Sequence, residues 1–157
     1  MVDAPVPDDV QWMQEALIEA REAGRRGEVP VGAVVVAGGQ VLARGRNETQ
    51  ALQDPTAHAE LLAIRRAAAA VGSWRLPECT LYASLEPCAM CGGAIVLARL
   101  VRVVFAARDP KGGACGSLRN VVQDQRLNHW CELSGGVLER ESAELLRGFF
   151  AAVRAAS

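Results

Sequence analysis

The fold is decided by residues 79–91, which read CTLYASLEPCAMC. The first half, Cys79 to Ser84, is short and apolar, which is typical of a buried β-strand. Pro87 then fits the first turn of a helix, because its missing N–H would have no partner there in any case. We therefore predict a strand followed directly by a helix that carries Cys88 and Cys91 and runs to about Arg99.

The two cysteines are three residues apart at the start of this predicted helix. That spacing places both sulfurs on one face. A helix N-terminus presents unpaired N–H groups and positive potential, which lower the pKa of a thiol and favour the thiolate that binds metal. A C-x-x-C pair also occurs as a redox motif. The choice between metal and redox chemistry depends on what else the chain supplies.

A second stretch, TAHAE at 56–60, supplies a histidine and a carboxylate. His58, Cys88 and Cys91 make a set of three ligands suited to zinc, which leaves a fourth tetrahedral position open for water. Residues two apart on a helix do not face the same way, so we expect Glu60 to point at water rather than at metal. This combination favours metal binding over redox chemistry and predicts Glu60 as a proton shuttle.

A purely structural zinc remains an alternative. Such a site is usually closed by four protein ligands. No fourth candidate has a paired spacing with the first three, and the candidates are Cys79, Cys115, Cys131 and His129.

Periodicity and turn residues predict alternating strands and helices along the rest of the chain. A hairpin turns at Gly38-Gly39. A helix opens at Asp54-Pro55 and is closed by Gly72. Gly92-Gly93 lies within the predicted helix that carries the cysteines. Because glycine destabilises a helix relative to alanine, we predict that this pair packs closely against a neighbouring backbone. The remaining predicted elements are helices over 8–23, 118–125 and 139–156, and strands over 29–37, 40–44, 101–106 and 132–138.

The order strand, helix, strand, helix, strand predicts parallel crossover connections. Helices that follow parallel strands begin at the same edge of the sheet, where ligands bind in open α/β folds. His58 and the two cysteines are therefore expected to meet there, although 30 residues separate His58 from Cys88.

Length and composition are consistent with one domain over 1–157, with residues 1–8 expected to be flexible. The net charge is -1, so charge alone does not indicate a nucleic-acid partner. The chain contains five cysteines and no recognisable signal peptide, which argues against a disulfide framework. No apolar run is long enough to span a membrane. We expect a cytoplasmic protein with no membrane contact.

The sequence resembles the cytidine/deoxycytidylate deaminase superfamily, and within it the bacterial tRNA-specific adenosine deaminases. The resemblance covers roughly Trp12 to the C-terminus. It rests on the metal motifs and on further stretches: EVPVGAV at 28–34, DPTAHAE at 54–60, LEPCAMC at 85–91, RVVFAARD at 102–109, LNH at 127–129 and FF at 149–150.

The resemblance implies a three-layer α/β/α fold with a mixed sheet of about five strands and helices on both faces. It implies one Zn²⁺ per subunit held by His58, Cys88 and Cys91. It also implies hydrolytic deamination of the wobble adenosine of a tRNA anticodon to inosine, expected in an arginine tRNA, with Glu60 moving the protons. A homodimer that contacts the tRNA anticodon loop is the expected assembly.

The resemblance also places four residues at the substrate. Asn47 and the backbone amide of Ala59 are expected to contact the target nucleoside, and Asp109 the nearby RNA backbone. Phe150 is the candidate for stacking on RNA, although an apolar stripe on the last helix makes a core position the more ordinary one for Phe149 and Phe150. Arg147 and Arg154 fit phosphate contacts and an ordinary solvated surface equally well.

Two other functions remain open. A deaminase of free guanine, adenine or cytosine would carry the same metal motif. A catalytically silent zinc protein would not need Glu60.

Overall fold

The computed structural model describes Val6 and residues 8–157. The helices in this part of the chain are α1 (Asp9–Arg25), α2 (Ala59–Val71), α3 (Ala89–Leu97) and α4 (Glu139–Ala156). The strands are β1 (Gly32–Ala37), β2 (Gln40–Arg46), β3 (Thr80–Leu85), β4 (Arg102–Ala107) and β5 (Glu132–Gly135). Apart from Val6 and Asp8, the predicted flexible segment 1–8 lies outside the described residues.

The five strands form one mixed sheet in the order β2-β1-β3-β4-β5. Strand β1 runs antiparallel to both β2 and β3, whereas β3, β4 and β5 are parallel. Helices α1 and α4 contact each other and the β3–β4 part of the sheet, while α2 packs on α3 and on β1 and β2. The predicted three-layer fold with a mixed sheet is confirmed.

Strand residues alternate between the two faces of the sheet, as the period of two requires. In β1, Ala33 and Val35 belong to the core beneath α2 and α3. Val34 and Val36 belong to the core beneath α1. Because both of its faces are covered, β1 is apolar throughout rather than alternately polar.

Two predicted helical segments differ from the structure. Helix α2 starts at Ala59, not at Asp54, because the Asp54 carboxylate accepts hydrogen bonds from the N–H and the hydroxyl of Thr56 and closes a turn instead. Residues 118–125 form turns and no helix. There the Asn120 side chain accepts a hydrogen bond from the N–H of Gln123 and replaces helical bonding.

The structure also corrects the interpretation of Gly92-Gly93. A Cβ built on Gly92 meets only the Val121 and Val122 side chains, at 3.4 Å or more, and one on Gly93 meets nothing within 4 Å. A close approach between backbones occurs instead at Gly45 of β2, where a Cβ would overlap the Ala59 carbonyl of α2. Gly45 thus sets the distance at which α2 lies on the sheet.

Among the described helices, the structure contains none that combines the length and apolar character needed to cross a membrane.

Asp9, the first residue of α1, lies in a buried ion pair. Its carboxylate binds both terminal nitrogens of Arg102 at 2.7 and 2.8 Å and accepts a hydrogen bond from the Tyr82 hydroxyl at 2.8 Å. Burial raises the pKa of Asp9, but the hydrogen bonds from Arg102, Val6 N–H and Tyr82 outweigh it and hold the pKa below its usual range. The pair fixes the start of α1 to β3 and β4.

Replacing Asp9 with alanine is expected to lower the free energy of unfolding by about 3–5 kcal/mol, because it leaves the Arg102 guanidinium buried without its partner. Urea unfolding followed by circular dichroism measures the change. Asp8→Ala is the matched control, since the exposed Asp8 makes no side-chain capping bond. Equal stability of the two variants would contradict the structural role of the pair.

Candidate metal centre and the pocket around it

The candidate ligands lie at the starts of two neighbouring helices. His58 is the residue preceding α2, Cys88 the residue preceding α3, and Cys91 lies in the first turn of α3. Helices α2 and α3 pack against each other. The fold therefore brings together the three residues that the sequence predicted, near the end of β3 that leads into α3.

The distances between the ligand atoms fit a tetrahedral zinc ion. His58 Nδ1 lies 3.7 Å from Cys88 Sγ and 3.6 Å from Cys91 Sγ. Zinc bonds of about 2.3 Å to sulfur and about 2.0 Å to nitrogen, at a tetrahedral angle, put nitrogen and sulfur about 3.5 Å apart. All three ligand atoms lie within 4.8 Å of one another. The donor set and its spacing are compatible with a metal site.

The two thiols differ in acidity. Hydrogen bonds from Cys91 and His58 lower the pKa of Cys88 to about 3. The hydrogen bond to Cys88, together with burial, raises the pKa of Cys91. Cys88 is thus the thiol that ionises first, as expected for a sulfur at a helix start.

Glu60 lies beside the cluster in the first turn of α2. Its side chain is buried, 4% exposed, and interacts with the Cys91 thiol. Burial raises the pKa of its carboxyl to about 7. A carboxyl that titrates near neutral pH both accepts and returns a proton readily. The metal-ligand group among the described residues consists of His58, Cys88 and Cys91 and does not include Glu60.

The other candidate ligands lie elsewhere. His129 Nε2 is 2.7 Å from the Leu100 carbonyl, and the Cys131 thiol donates to the same carbonyl. Cys79 and Cys115 are buried free thiols outside the group. In the part of the chain that the structure describes, the cluster therefore offers three candidate ligands, a number typical of an open rather than a closed zinc site.

Asn47 lies at the end of β2 and its side chain reaches α2. Its side-chain oxygen accepts a hydrogen bond from the Ala59 N–H at 2.9 Å, so it caps the helix from outside. The side-chain NH₂ group remains as a donor, and Asn47 lines the pocket beside the cluster. The Ala59 amide is occupied by Asn47, so it reaches a base only if the carboxamide moves away.

The pocket over the cluster has a volume of about 260 Å³, and Asp109 contributes to its wall. The full lining is Val29, Val31, Asn47, Thr49, His58, Glu60, Leu85, Glu86, Cys88 and Asp109. A cleft of this size beside an open metal position accommodates a planar ring rather than a folded polymer.

A second, larger cavity of about 640 Å³ adjoins the pocket and shares Val29, Leu85 and Asp109 with it. Phe150 lies here and not in the pocket, with 42% of its surface exposed. It contacts the half-buried Phe149 edge to face. The remaining polar residues of this cavity are basic: Arg108, Lys111, Arg147 and Arg154.

Two buried glutamates near the pocket were missed by the sequence reasoning. Glu28 accepts hydrogen bonds from the backbone N–H groups of Gln50 and Ala51 and from the Thr49 hydroxyl. Glu86 accepts from residues 109–117. The available signal was a glutamate within an otherwise apolar segment in each case.

Known proteins that resemble this chain are deaminases. A family model described as MafB19-like deaminase matches residues 7–154. The tRNA-specific adenosine deaminase of Bacillus subtilis (strain 168) is 49% identical over 146 residues, which cover 93% of this chain and 91% of that protein.

Solved structures extend the comparison. A tRNA:A34 deaminase, from a study of A-to-I editing at the wobble position of transfer RNA, superposes with a TM-score of 0.84 at 48% identity, covering 87% of this chain and 99% of that one. The guanine deaminase from Nitrosomonas europaea superposes with a TM-score of 0.81 at 26% identity, covering 96% and 87% of the two chains.

A family match over nearly the whole chain, together with the sheet order, makes this protein a hydrolytic deaminase of the cytidine deaminase superfamily. Within it, the chain belongs to the family of the tRNA-specific adenosine deaminases, since it is 49% identical to one of them over 93% of its length and 26% identical to the Nitrosomonas europaea guanine deaminase.

Proposed function

We propose that the protein binds one Zn²⁺ through His58, Cys88 and Cys91 and deaminates the wobble adenosine of a tRNA anticodon, in an arginine tRNA, to inosine. The observation that carries the proposal is a three-ligand cluster with a buried carboxyl beside it, at the floor of a ring-sized pocket. The identity to a tRNA-specific adenosine deaminase supports the substrate.

Zinc held by these ligands supplies a Lewis acid that acidifies water. Glu60 is the proton carrier. Its buried carboxylate accepts a proton from the attacking water and delivers it to the adenine ring nitrogen. It then takes the proton of the new C6 hydroxyl and passes it to the amino group, which leaves C6 as ammonia. A pKa raised by burial suits a group that must both take up and release the proton.

Asn47 orients the base in this proposal. Its side-chain oxygen is held by the Ala59 N–H, so its NH₂ group faces the pocket in a fixed orientation and donates to an acceptor on the purine. While this bond is in place the Ala59 N–H is not free for the base, so Asn47 makes the contact at this wall. Such pre-oriented donors are what positions a ring for attack.

RNA flanking the target base fits the second cavity. Asp109 lies between the two cavities and meets the RNA backbone, and Phe150 offers an exposed ring for stacking. Arg147 and Arg154 supply charge for phosphates. This basic cavity favours RNA over a free base, because a free base needs only the inner pocket.

The double substitution Arg147→Ala and Arg154→Ala is expected to weaken binding of an anticodon stem-loop and to flatten its salt dependence. Each lost phosphate contact reduces the slope of log K against log salt by about 0.7 for single-stranded RNA. Fluorescence anisotropy across a salt series measures the slope. Arg126→Ala is the control, because Arg126 is exposed and pairs with Asp124. An unchanged slope in the double variant would remove these residues from the RNA surface.

One assay distinguishes the candidate functions. Zinc-loaded protein is incubated with an anticodon stem-loop bearing adenosine at the wobble position and, separately, with free guanine, adenine and cytosine. Inosine at the wobble position supports the proposal. Ammonia from free bases alone would establish the small-molecule alternative, and no turnover of any substrate would indicate a silent zinc protein.

We further propose a cytoplasmic homodimer. Exposed apolar side chains on α3 and on the 118–130 segment support a partner surface, and they are Met90, Leu97, Leu118, Leu127 and Trp130. Sedimentation equilibrium is expected to give the mass of a dimer, and the mass of a monomer would contradict the proposal.

A further inference from the structure

Glu86 lies between the end of β3 and the ligand Cys88, and it is 1% exposed. Both oxygens of its carboxylate are engaged. One accepts from the N–H of Asp109 at 3.0 Å and from the Ser117 hydroxyl. The other accepts from the N–H groups of Cys115 and Ser117, each at 3.0 Å. The carboxylate therefore accepts four hydrogen bonds from the loop formed by residues 109–117.

The loop is closed tightly around this carboxylate. A Cβ added at Gly113 would overlap the Glu86 carboxylate and would also lie 2.6 Å from the Asp109 carbonyl oxygen. The N–H of Ala114 donates to the Pro87 carbonyl at 2.8 Å, and Gly113 forms an isolated bridge with Cys88. The loop is thus joined to residues 86, 87 and 88 in succession, the last of which is a metal ligand.

This loop presents Asp109 to the substrate. Oδ1 of Asp109 accepts hydrogen bonds from the N–H groups of Lys111 and Gly112. Its other oxygen remains available at the boundary of the two cavities. Since Glu86 holds the Asp109 N–H directly, the position of the Asp109 carboxylate relative to the metal cluster depends on Glu86.

Glu86 is unsuited to the chemistry itself. It is not a member of the metal-ligand group, and its two oxygens are occupied by four donors. A carboxylate so engaged neither coordinates metal nor exchanges protons with substrate without first releasing the loop. Its remaining role is to hold structure.

We propose that Glu86 is a positioning residue that fastens the 109–117 loop to the metal-binding segment and so keeps Asp109 at a fixed distance from the reacting base. The inference rests on the proposed function for its effect on RNA. The contacts to the loop stand independently of that function. Misplacement of a contacting group by about 1 Å costs up to about 10²-fold in rate.

Glu86→Gln tests the proposal, because the carboxamide keeps the volume of the side chain but replaces one accepting oxygen with an NH₂ group. This group cannot accept hydrogen bonds from the N–H donors of the loop. Hydrogen exchange at the amides of Asp109, Cys115 and Ser117 is followed by NMR in the zinc-loaded protein. Asp9→Asn is the matched control, a buried carboxylate changed to a carboxamide on the other side of the sheet. Ser117→Ala is the milder variant, since it removes only the hydroxyl donor and leaves the three N–H donors in place.

In Glu86→Gln we expect the three amides to exchange at least about 10-fold faster than in Asp9→Asn, corresponding to the loss of a charged hydrogen bond of about 1.5 kcal/mol or more. One zinc per chain is retained. With the wobble-adenosine stem-loop, KM rises and kcat/KM falls by about 10–100-fold, while kcat changes less. The amide exchange rates and the KM of Ser117→Ala are expected to lie between those of Glu86→Gln and those of the wild type.

Three results would overturn the inference: exchange no faster than in Asp9→Asn, loss of zinc from Glu86→Gln, or an unchanged KM. If the wild-type protein itself fails to deaminate the stem-loop, the proposed function falls. The exchange rates still decide whether Glu86 holds the loop.

Discussion

Changing Glu60 to alanine is expected to leave one zinc per chain and to reduce deamination of the wobble adenosine by about 10²- to 10⁴-fold. The carboxyl lies beside the ligand cluster without belonging to it, and its pKa is raised by burial to about 7. Glu60 carries two protons in this mechanism, one from water to the ring nitrogen and one from the C6 hydroxyl to the leaving amine, so its loss stops both transfers. Zinc content by elemental analysis and inosine by mass spectrometry give the two readings.

Glu60→Gln refines this test, because the glutamine side chain keeps the size of the glutamate and a hydrogen-bond acceptor, but its carboxamide cannot take up a proton. It is expected to be as inactive as the alanine variant. Glu22→Ala serves as the control, since the Glu22 carboxylate pairs with Arg25, the last residue of α1, and with Arg26 just after it. Loss of zinc from both Glu60 variants would instead identify Glu60 as a metal ligand.

Changing Cys88 to alanine is expected to remove the metal and, with it, all turnover above background. Two ligands remain of the three within 4.8 Å of one another. Cys88 is also the thiol that ionises first, its pKa being lowered to about 3 by hydrogen bonds from Cys91 and His58. Because folding brings the three ligand atoms together, the melting temperature of the wild type should rise with added zinc and fall with chelator.

The Cys88→Ala variant should show no such dependence on zinc. Cys79→Ala is the matched control, because Cys79 is a buried thiol outside the cluster. It should keep zinc, activity and the response to chelator. Full zinc content in Cys88→Ala would contradict the assignment of the ligands.

The elements that position the site could be predicted because their signals are local. Pro87 followed by two cysteines sets the start of α3 within two residues, and Gly72 ends α2 in the left-handed conformation that glycine tolerates. Helix α4 spans Glu139–Ala156, as its apolar periodicity predicts. The meeting of His58 with the cysteines followed from the convergence of helix starts at one sheet edge.

The two errors in the predicted helices have a common physical origin, which is competition between side chains and the backbone. Asp54 closes a turn with Thr56 instead of capping the helix, and Asn120 does the same for residues 120–123. A polar side chain that bonds to a nearby N–H is compatible with a cap and with a turn, and sequence alone does not distinguish them.

The long-range polar contacts could not be predicted from the sequence. Glu86 bonds to residues 23–31 positions further along the chain, and Asp9 pairs with Arg102 across 93 positions. Neither pairing follows from periodicity or spacing, since each depends on which elements become neighbours in the folded sheet. The prediction that Gly92-Gly93 packs closely against a neighbouring backbone was wrong for the same reason.

The most direct test of the proposed hydrolytic deamination is the source of the new oxygen. Zinc-loaded protein is incubated with a wobble-adenosine stem-loop in water enriched in ¹⁸O. The RNA is then digested to nucleosides, and their masses are measured by mass spectrometry. Hydrolytic deamination predicts inosine at the wobble position alone, carrying one ¹⁸O at C6. Unlabelled inosine, or an unchanged adenosine beside free bases that lose ammonia, would contradict it.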